Sequence, residues 1–452
     1  MHCISRCNFF TGREETVGIE LAIPRETGEN EKRTAASPDT VKKYVARGVS
    51  VVVESGAGQG AAYTDKDYKD AGAKIAKSFS ETVKGADVVL KVQAPSKEEL
   101  KSLKKGALLI AMLAPYANDA ILQDCAKAGV TAFSMEFVPR ITRAQTMDVL
   151  SSQSNLAGYK AVLDAAEYYP HVMPMMMTAA GTIPPAKVFI MGAGVAGLQA
   201  IATARRLGGV VSATDVRPAA KEQVESLGAS FVAVEDEEFK QAETEGGYAK
   251  EMSDAYKKKQ AELVESHIAK QDIVITTALI PGRPAPKLIS KAMVKSMKPG
   301  SVIVDLAVEA GGNCEVSKAG EVVVHNDVTV IGHLNVPGRL AADASALYAK
   351  NLMSLVNLLV DEENGNLSIN WEDEIIQGVC LTHDGKIVHP SFTDTPQAAP
   401  NKKKAEDKDD EKTGDKKAKP AKDKAEAASK DAVTKDEDVE GQEDTKEKGK
   451  DD

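Results

Sequence analysis

Three glycines with the spacing G-x-G-x-x-G follow an apolar run in the segment Lys187–Gly197. A helical pattern and a second apolar run come next, and that second run ends at Asp215. Glycines in a strand-to-helix turn let a phosphate approach the backbone, and the helix that follows offers free N–H groups and the positive end of its dipole. The pattern therefore predicts a turn that binds a dinucleotide.

Each residue type in this motif has an expected task. Gly192 permits the tight turn, Gly194 lets the backbone approach a pyrophosphate, and Gly197 lets the helix pack closely on the strand. Asp215 can accept hydrogen bonds from a ribose 2′-hydroxyl, and its charge would repel a 2′-phosphate. The motif therefore favours NAD(H) over NADP(H).

Two details of the motif admit a second interpretation. Arg217, two residues after Asp215, is either a contact for a 2′-phosphate or a solvated arginine at the start of a helix, and we prefer the solvated arginine. The glycines themselves could serve packing alone. Against that interpretation, a strand signal precedes the glycines, a helix signal follows them, and the acidic residue stands about 20 positions on, as the full motif requires.

The elements that must position this turn alternate along the chain. Strand and helix patterns alternate from Val17 to about Leu150, and a second series from about Ser152 to Pro337 contains the glycine motif. This alternation predicts an α/β fold with mainly parallel sheets. Besides the two runs of the motif, the predicted strands are Gly18–Ile23, Val49–Val53, Ala86–Val92, Leu108–Met112, Thr131–Phe133, Phe231–Val234, Ile273–Thr276, Val302–Asp305 and Val328–Ile331.

Helices and one long insertion complete this prediction. Helices are expected from Ser37 to Arg47, from about Val195 to Leu207, and from Ala342 to Leu359, where an amphipathic helix should return to the first domain. Between Glu235 and His267 lies a long polar insertion. We interpret it as a mobile functional loop, because long insertions in compact domains often serve a site.

Composition narrows the class of protein. The chain has 452 residues, of which 42% are hydrophobic, enough for two or three domains with sizeable cores. The net charge of −10 gives no sign of nucleic-acid binding. Five scattered cysteines favour reduced thiols over a disulfide framework. No uninterrupted run of about 18 apolar residues predicts a transmembrane helix, and no cluster of residues predicts a metal site.

Two further segments have unusual composition. Met173–Met177 is a methionine cluster, which we expect to pack in a core or between domains. The stretch from Asn401 to Asp452 is rich in lysine and acidic residues and has few bulky apolar side chains. Such a segment cannot offset its ordering entropy by burial, so it is predicted to be disordered.

Several stretches resemble the alanine dehydrogenase/pyridine-nucleotide transhydrogenase superfamily. The resemblance runs from about residue 18 to residue 390. Arg25–Pro38 and Glu54–Gly60 are similar to the amino end of the superfamily as a whole. The stretches that resemble the transhydrogenase branch in particular are Arg143–Asn155, Thr276–Pro286 and Asp305–Asn313.

The resemblance implies two Rossmann-like domains around a cleft. Their expected bounds are an N-terminal extension at 1–16, a first domain at 17–151 and 338–392, an NAD-binding domain at 152–337, and the disordered tail at 393–452. It also implies an NAD(H)-binding alpha subunit of a proton-translocating transhydrogenase. Such a subunit works as a homodimer on the cytoplasmic or matrix-like face of a membrane. Hydride passes directly between its NAD(H) and the NADP(H) of a partner domain, which is joined to a membrane domain.

The resemblance also assigns residues to the site. Four polar residues and one tyrosine match positions that line the nicotinamide site or close over it: Arg140, Gln145, Asp148, Ser151 and Tyr248. Gln145 is the residue expected to touch both nicotinamides, and Tyr248 belongs to the family's mobile loop. The expected cofactor-binding residues are Gly192, Gly194, Val195, Gly197, Asp215, Val216, Arg217, Tyr248, Ala278 and Leu279.

The sister branch supplies the alternative function, a free-standing NAD-dependent dehydrogenase of the alanine type. Alanine dehydrogenases carry a catalytic histidine where this chain has Ala114, and an aspartate where it has Glu309. Their substrate-binding arginine and lysine correspond to Arg33 and Lys91, which we interpret here as structural ion-pair residues. A weaker third hypothesis is a non-catalytic NAD sensor that signals through the charged tail.

Overall fold

The computed structural model describes residues 18–118, 120–240, 253–280, 282–361 and 365–393. The N-terminal extension, the charged tail and Tyr248 lie outside these ranges. Two large sheets and the helices that cover them make up most of the described chain. Within the described ranges no helix is both long and apolar enough to cross a membrane.

The first sheet has eight strands in the order β17-β16-β6-β5-β4-β1-β2-β3. Its neighbours pair in parallel except at β16, which is antiparallel to β6 and to β17. With all strands numbered in chain order, they are β1 (Glu20–Ile23), β2 (Ser50–Glu54), β3 (Lys74–Ala76), β4 (Val88–Gln93), β5 (Leu108–Met112), β6 (Thr131–Ser134), β16 (Cys380–His383) and β17 (Lys386–Ile387).

Both faces of this sheet are buried. Leu90 and Ile110 belong to the apolar cluster on one face, and Val89 and Leu109 belong to the cluster on the other. Successive side chains of a strand point to opposite faces, so a strand covered on both sides must be apolar throughout. This requirement explains why the central strands are continuous apolar runs and not alternating ones.

The second sheet has seven strands in the order β11-β10-β9-β12-β13-β15-β14 and is parallel except at β14. The strand predicted at Phe231–Val234 is shorter than expected, because its ladder with β10 has only two pairs at the sheet edge. The strand at Val322–His325 was not predicted. The strands of this sheet are β9 (Lys187–Met191), β10 (Val210–Thr214), β11 (Ser230–Phe231), β12 (Ile273–Thr276), β13 (Val302–Asp305), β14 (Val322–His325) and β15 (Val328–Ile331).

Helices cover both sheets and join them. Ser37 caps the first helix through a capping box, and Pro38 opens it, so it begins where the sequence predicts. The helices are α1 (Pro38–Ala46), α2 (Asp65–Asp70), α3 (Phe79–Val83), α4 (Lys97–Ser102), α5 (Ala120–Ala128), α6 (Val149–Tyr168), α7 (Val195–Arg206), α8 (Ala220–Ser226), α9 (Glu237–Lys240), α10 (Asp254–Ile268), α11 (Lys291–Ser296), α12 (Ala341–Val356), α13 (Glu374–Val379) and α14 (Pro390–Thr393). Shorter 3₁₀ helices lie at Gln59–Ala61, Met135–Phe137, Thr142–Met147, Val308–Ala310 and Val336–Leu340.

Two long helices connect the two sheets. Helix α6 leaves the first sheet and packs on α7 of the second. Helix α12 brings the chain back, and its Tyr348 and Leu352 are buried in the cluster that contains Leu90 and Ile110. The chain therefore crosses between the sheets twice, and α6 and α12 pack on each other where it does so.

Two expectations about connecting segments are wrong. The insertion between Glu235 and His267 is largely helical, since α9 and α10 occupy its two ends, and residues 241–252 lie outside the described chain. The methionine cluster does not pack in a core beyond Met173. It enters an exposed two-stranded hairpin of β7 (Met176–Thr178) and β8 (Gly181–Ile183), in which Met177 is 81% exposed.

Candidate nucleotide site

The glycine turn lies at the carboxyl end of β9 and leads into α7. Gly192 has a φ of 106°, a conformation that favours glycine. A Cβ atom added at Gly197 would overlap the carbonyl oxygen of Gly192, so the first turn of α7 touches the loop backbone. A Cβ atom added at Gly194 would meet no protein atom within 4 Å. The loop is thus tight on its inner side and open at Gly194.

The start of α7 can receive an anion. Gly194 is the N-cap residue of this 12-residue helix, and no side chain caps it. The first N–H groups of a helix lack partners within the helix and carry the positive end of its dipole. Together with the open space at Gly194, these groups fit the pyrophosphate of a dinucleotide.

Asp215 lies at the end of β10, and both of its carboxylate oxygens accept hydrogen bonds. The backbone N–H of Ala193 donates to Oδ2 at 2.8 Å, which ties the carboxylate to the glycine turn. Arg217 donates from Nε to Oδ1 at 2.9 Å and from Nη2 to Oδ2 at 3.1 Å. The expectation of a solvated Arg217 at a helix start was therefore wrong, since it is ion-paired and α8 begins three residues later. A ribose hydroxyl would share Asp215 with Arg217 or displace it.

The loop after β12 lies beside the glycine turn. The hydroxyl of Thr277 donates to the carbonyl oxygen of Gly192 at 3.1 Å. Ala278 is held by the buried Asn313, whose Oδ1 accepts from the Ala278 N–H at 3.0 Å and whose Nδ2 donates to the Ala278 carbonyl at 2.9 Å. The side chain of Leu279, the next residue, is 56% exposed. The structure thus brings Ala278 and Leu279 next to Gly192.

Asp305 shapes the neighbouring loop and was missed as a support residue. This buried carboxylate at the end of β13 accepts from the N–H of Ala307 at 3.0 Å and from that of Cys314 at 3.0 Å. It also accepts from the hydroxyl of Ser317 at 2.6 Å. These bonds place Asn313, the residue that fixes Ala278, directly beside a rigid turn. An aspartate at the end of a buried strand was the available signal.

Arg140, Gln145, Asp148 and Ser151 lie on one continuous stretch. Arg140 and Gln145 are exposed, and Gln145 lies within the 3₁₀ helix Thr142–Met147. Asp148 is the N-cap of α6, where it accepts from the N–H of Ser151 at 2.9 Å and from its hydroxyl at 2.5 Å. Asp148 and Ser151 therefore bind each other and set the start of α6.

Helix α6 connects this stretch to the glycine turn. A Cβ atom added at Gly158 would overlap the carbonyl oxygen of Ala196, so α6 touches the first turn of α7. Ser151 precedes Gly158 by seven residues, about 10 Å along the helix axis. The polar stretch and the glycine turn are thus two helical turns apart on a shared support. Tyr248 lies outside the described residues, so the structure does not place it.

Comparison with known proteins agrees with this architecture. The family model "Alanine dehydrogenase/PNT, N-terminal domain" matches residues 22–157, and "Alanine dehydrogenase/PNT, C-terminal domain" matches residues 161–390. The chain belongs to the alanine dehydrogenase/PNT family. This membership confirms the resemblance seen in the sequence and the predicted α/β fold with mainly parallel sheets.

Individual members of the family match over most of their length. The separately encoded first portion of the NAD(P) transhydrogenase subunit alpha of Rhodospirillum rubrum is 55% identical over 380 residues, which are 83% of this chain and 99% of that protein. The crystal structure of a transhydrogenase from Sinorhizobium meliloti is 56% identical, with a TM-score of 0.75, and the match covers 82% of this chain and 100% of that one. A structure of L-alanine dehydrogenase is 25% identical, with a TM-score of 0.69, and its match covers 83% and 98%.

The two cations that correspond to the substrate-binding pair of alanine dehydrogenases are buried and paired here. Arg33 lies 2.7 Å from Glu31, and Lys91 lies 3.2 Å from both Glu26 and Glu99. Burial opposes the charge of Glu31, but hydrogen bonds from Arg33 outweigh it and hold the pKa of that carboxyl below its ordinary value. Each cation thus has a protein carboxylate as its partner, as the ion-pair interpretation predicted.

Replacing Glu31 by Gln tests this pairing. Loss of the carboxylate leaves the Arg33 cation buried without its charge partner, and breaking a buried pair costs about 3–5 kcal/mol of stability. We expect a lower urea midpoint at pH 7. The difference from the wild type should shrink below pH 4.5, the ordinary pKa of glutamate, because stabilisation by a lowered folded-state pKa is lost as pH falls through it.

The control for this variant is Glu29→Gln, the same change at an exposed glutamate of the same loop. Urea unfolding followed by circular dichroism at pH 7 and pH 3.5 measures both variants. Equal midpoints for Glu31→Gln and Glu29→Gln at pH 7 would contradict a stabilising role for the pair.

The position of the sister branch's catalytic histidine contains no acid or base in this chain. Ala114 occupies it and has a φ of 46°. The adjacent carboxylate, Glu136, accepts from the N–H of Ala114 at 2.8 Å and from that of Leu113 at 3.1 Å. Glu309, which replaces the sister branch's aspartate, accepts from the N–H of Asn335 at 3.1 Å. Both carboxylates are therefore engaged in holding backbone.

Proposed function

We propose that this chain is the NAD(H)-binding subunit of a proton-translocating NAD(P) transhydrogenase. In this role hydride passes directly between NAD(H) held by this chain and NADP(H) held by a partner domain. The observation that carries the proposal is the combination of an open glycine turn beside Asp215 with Ala114 at the position of the sister branch's acid/base.

Hydride transfer between nicotinamides makes few chemical demands on the protein. A hydride leaves C4 of one ring and joins C4 of the other, so no proton is released at the site, unlike in the oxidation of an amine or alcohol. The protein must hold the rings at reacting distance and exclude water. A mostly uncharged polar set is adequate for this work, and a histidine is unnecessary.

The chain's residues divide this work between them. The N-terminus of α7, with Gly194 and Val195, would hold the pyrophosphate, and Asp215 would hold the adenosine ribose, with Val216 and Arg217 beside it. Ala278 and Leu279 would flank the nicotinamide-ribose end from the second sheet. Gln145, Arg140, Asp148 and Ser151 would orient the nicotinamide from the other side, and Tyr248 would close over the bound nucleotide and exclude water.

The experiment that tests the proposal is reconstitution. This chain is mixed with the NADP(H)-binding domain of a transhydrogenase, and reduction of an NAD analogue by NADPH is followed, with L-alanine and NAD tested in parallel. We expect transfer that requires both proteins and no turnover of alanine. NADH formation from alanine by this chain alone would favour the free-standing dehydrogenase, and absence of both reactions would leave only the NAD-sensing alternative.

The exposed hairpin supports the proposal that the chain works as a homodimer. Met175, Met176, Met177 and Ile183 are all exposed on β7, β8 and the residue before them. A two-stranded hairpin alone is marginally stable in water, and clustered exposed apolar side chains mark an interaction surface. A second copy of the chain is the simplest cover, because two-fold homodimers are the commonest assemblies.

Met177→Lys tests this assembly. A charge in the middle of the hairpin would have to be desolvated on association, so we expect the dimer to dissociate at least about tenfold more readily. Sedimentation equilibrium measures the effect. Val324→Lys is the control, because Val324 is an exposed apolar residue on the edge strand β14. A dimer that is unchanged by Met177→Lys would contradict a role for the hairpin.

The proposal also implies a location. A subunit of this kind would lie peripherally on the cytoplasmic or matrix-like face of an energy-coupling membrane, attached through the membrane domain and the NADP(H)-binding domain on other chains. Proton translocation would take place in those domains, and this chain would be limited to binding NAD(H) and presenting it.

A further inference from the structure

The 3₁₀ helix Thr142–Met147, which contains Gln145, needs outside support. It is six residues long, whereas 3₁₀ helices longer than three or four residues are uncommon because their hydrogen-bond geometry is poor. Ala144 and Met147 are buried in the core beneath the first sheet, which fixes one side of the helix. The exposed side, with Gln145, depends on polar contacts for its orientation.

The first of these contacts comes from Asn351 on α12. Its Nδ2 donates to the carbonyl oxygen of Thr146 at 2.8 Å, and its Oδ1 accepts from the hydroxyl of Ser152 at 2.8 Å. The Asn351 side chain is 8% exposed, so these bonds lie away from water. One amide therefore joins the last turn of the 3₁₀ helix to the first turn of α6, with the Asp148 cap between them.

The second contact comes from Asp373, the N-cap residue of α13. Arg143 binds its carboxylate with both terminal nitrogens, Nη1 at 2.7 Å and Nη2 at 2.8 Å. Asp373 also accepts from the N–H of Ile375 at 2.8 Å, which fixes the carboxylate on α13. A two-point pair of this kind is stronger and better oriented than a single hydrogen bond.

These two contacts bracket Gln145. Arg143 precedes it by two residues and Thr146 follows it directly, so the peptide that carries the Gln145 side chain is held on both sides. The two anchors come from the returning C-terminal segment, 205 and 230 positions along the chain from the residues they hold. A misplacement of about 1 Å at a reacting centre can cost up to roughly a hundredfold in rate.

We propose that Asn351 and Asp373 are positioning residues for hydride transfer, which hold the Gln145 loop in the orientation the reaction needs. The inference rests on the proposed transhydrogenase function and adds two residues to it that do not themselves meet the nucleotides. It assigns a task to the C-terminal return segment, which becomes a component of the machinery of the site as well as a cover for the first sheet.

Two variants separate positioning from folding. Asn351→Leu keeps the approximate size of the side chain and removes both hydrogen bonds. Asp373→Asn removes the charge that holds Arg143, while asparagine remains a good N-cap for α13. The controls are Asn357→Leu at the C-cap of α12 and Asp384→Asn, an exposed acid in the turn between β16 and β17.

Single-turnover transfer from NADPH to an NAD analogue, in the presence of the NADP(H)-binding domain, provides the decisive measurement. We expect the rate constant to fall about tenfold in Asn351→Leu and about threefold in Asp373→Asn, as for a partly misplaced reacting group. The Kd for NADH should stay within about twofold, because the glycine turn is untouched. Both controls should keep the wild-type rate constant.

A purely structural role would give a different result. Partial unfolding lowers the amplitude of the transfer, since fewer molecules react, but leaves the rate constant of the folded molecules unchanged. Wild-type rate constants in both variants would therefore overturn the positioning role alone. Absence of transfer by the wild-type chain would overturn the proposed function, and the positioning role with it.

Discussion

Gly194→Ala is expected to weaken NADH binding by about thirtyfold without lowering the melting temperature. The added methyl group meets no protein atom within 4 Å, and the backbone at Gly194 has a φ of −77°, which alanine adopts freely. The methyl group would instead stand where a pyrophosphate approaches the start of α7. Steric overlap of this kind costs about 2 kcal/mol, which corresponds to that change in Kd.

Gly197→Ala is the matched variant in the same turn, and its effect should differ. Here the added Cβ would overlap the carbonyl oxygen of Gly192 and lie 3.4 Å from a methyl group of Ile190. Because the obstacle is backbone, α7 must move away from β9, so both the melting temperature and NADH affinity should fall. Thermal unfolding and NADH fluorescence titration measure the two quantities.

The comparison between these variants tests the nucleotide site directly. Normal NADH binding by Gly194→Ala would show that the pyrophosphate does not approach this turn. A lowered melting temperature in Gly194→Ala would show that the space beside Gly194 has a structural purpose. The contrast with Gly197 matters because both residues belong to one motif, yet only one of them is required by the fold itself.

The central strands were predictable because their burial is written in the sequence. A parallel strand covered on both faces must be apolar at every position, so it appears as a short unbroken apolar run. Four strands accordingly have the predicted bounds: Leu108–Met112, Ile273–Thr276, Val302–Asp305 and Val328–Ile331.

Edge elements were harder to predict. Strand β14 alternates between exposed and half-buried residues, so no apolar run marks it. A signal was nevertheless present, since Asn326 and Asp327 separate β14 from β15 and both have a positive φ, as a two-residue hairpin turn requires. The methionine hairpin was missed for a different reason. Methionine favours burial on average, and the sequence of one chain does not reveal which apolar residues await a partner.

The candidate site divides in the same way between local and distant information. The glycine turn and Asp215 were recognisable because the tasks of the motif are performed within about 30 consecutive residues. Arg217 was misjudged, although its partner Asp215 is only two residues away. Asn351 and Asp373 could not be found from the sequence, because their contacts depend on how α12 and α13 return to the first sheet. Hydrogen bonds between residues so far apart along the chain have no sequence period.

Gln145→Asn is expected to slow hydride transfer about tenfold or more while leaving NADH binding nearly unchanged. Gln145 is exposed, so shortening it by one methylene group should leave its 3₁₀ helix in place. Its amide would then withdraw from the nicotinamides that it is proposed to orient. A tenfold loss corresponds to about 1.4 kcal/mol of barrier, the scale of one misplaced hydrogen bond. Single-turnover transfer with the NADP(H)-binding domain measures the rate, and fluorescence titration measures the affinity for NADH.

The split between rate and affinity is what makes this variant informative. Most of the contacts proposed for the nucleotide lie at the glycine turn and Asp215, which Gln145 does not touch, so a pure binding role would raise Kd and leave the rate at saturation unchanged. Gln223→Asn, the same change on the exposed face of α8, should alter neither quantity. An unchanged rate in Gln145→Asn would remove Gln145 from the mechanism. It would also remove the reason for holding its loop with Asn351 and Asp373, so this single residue links the two proposals.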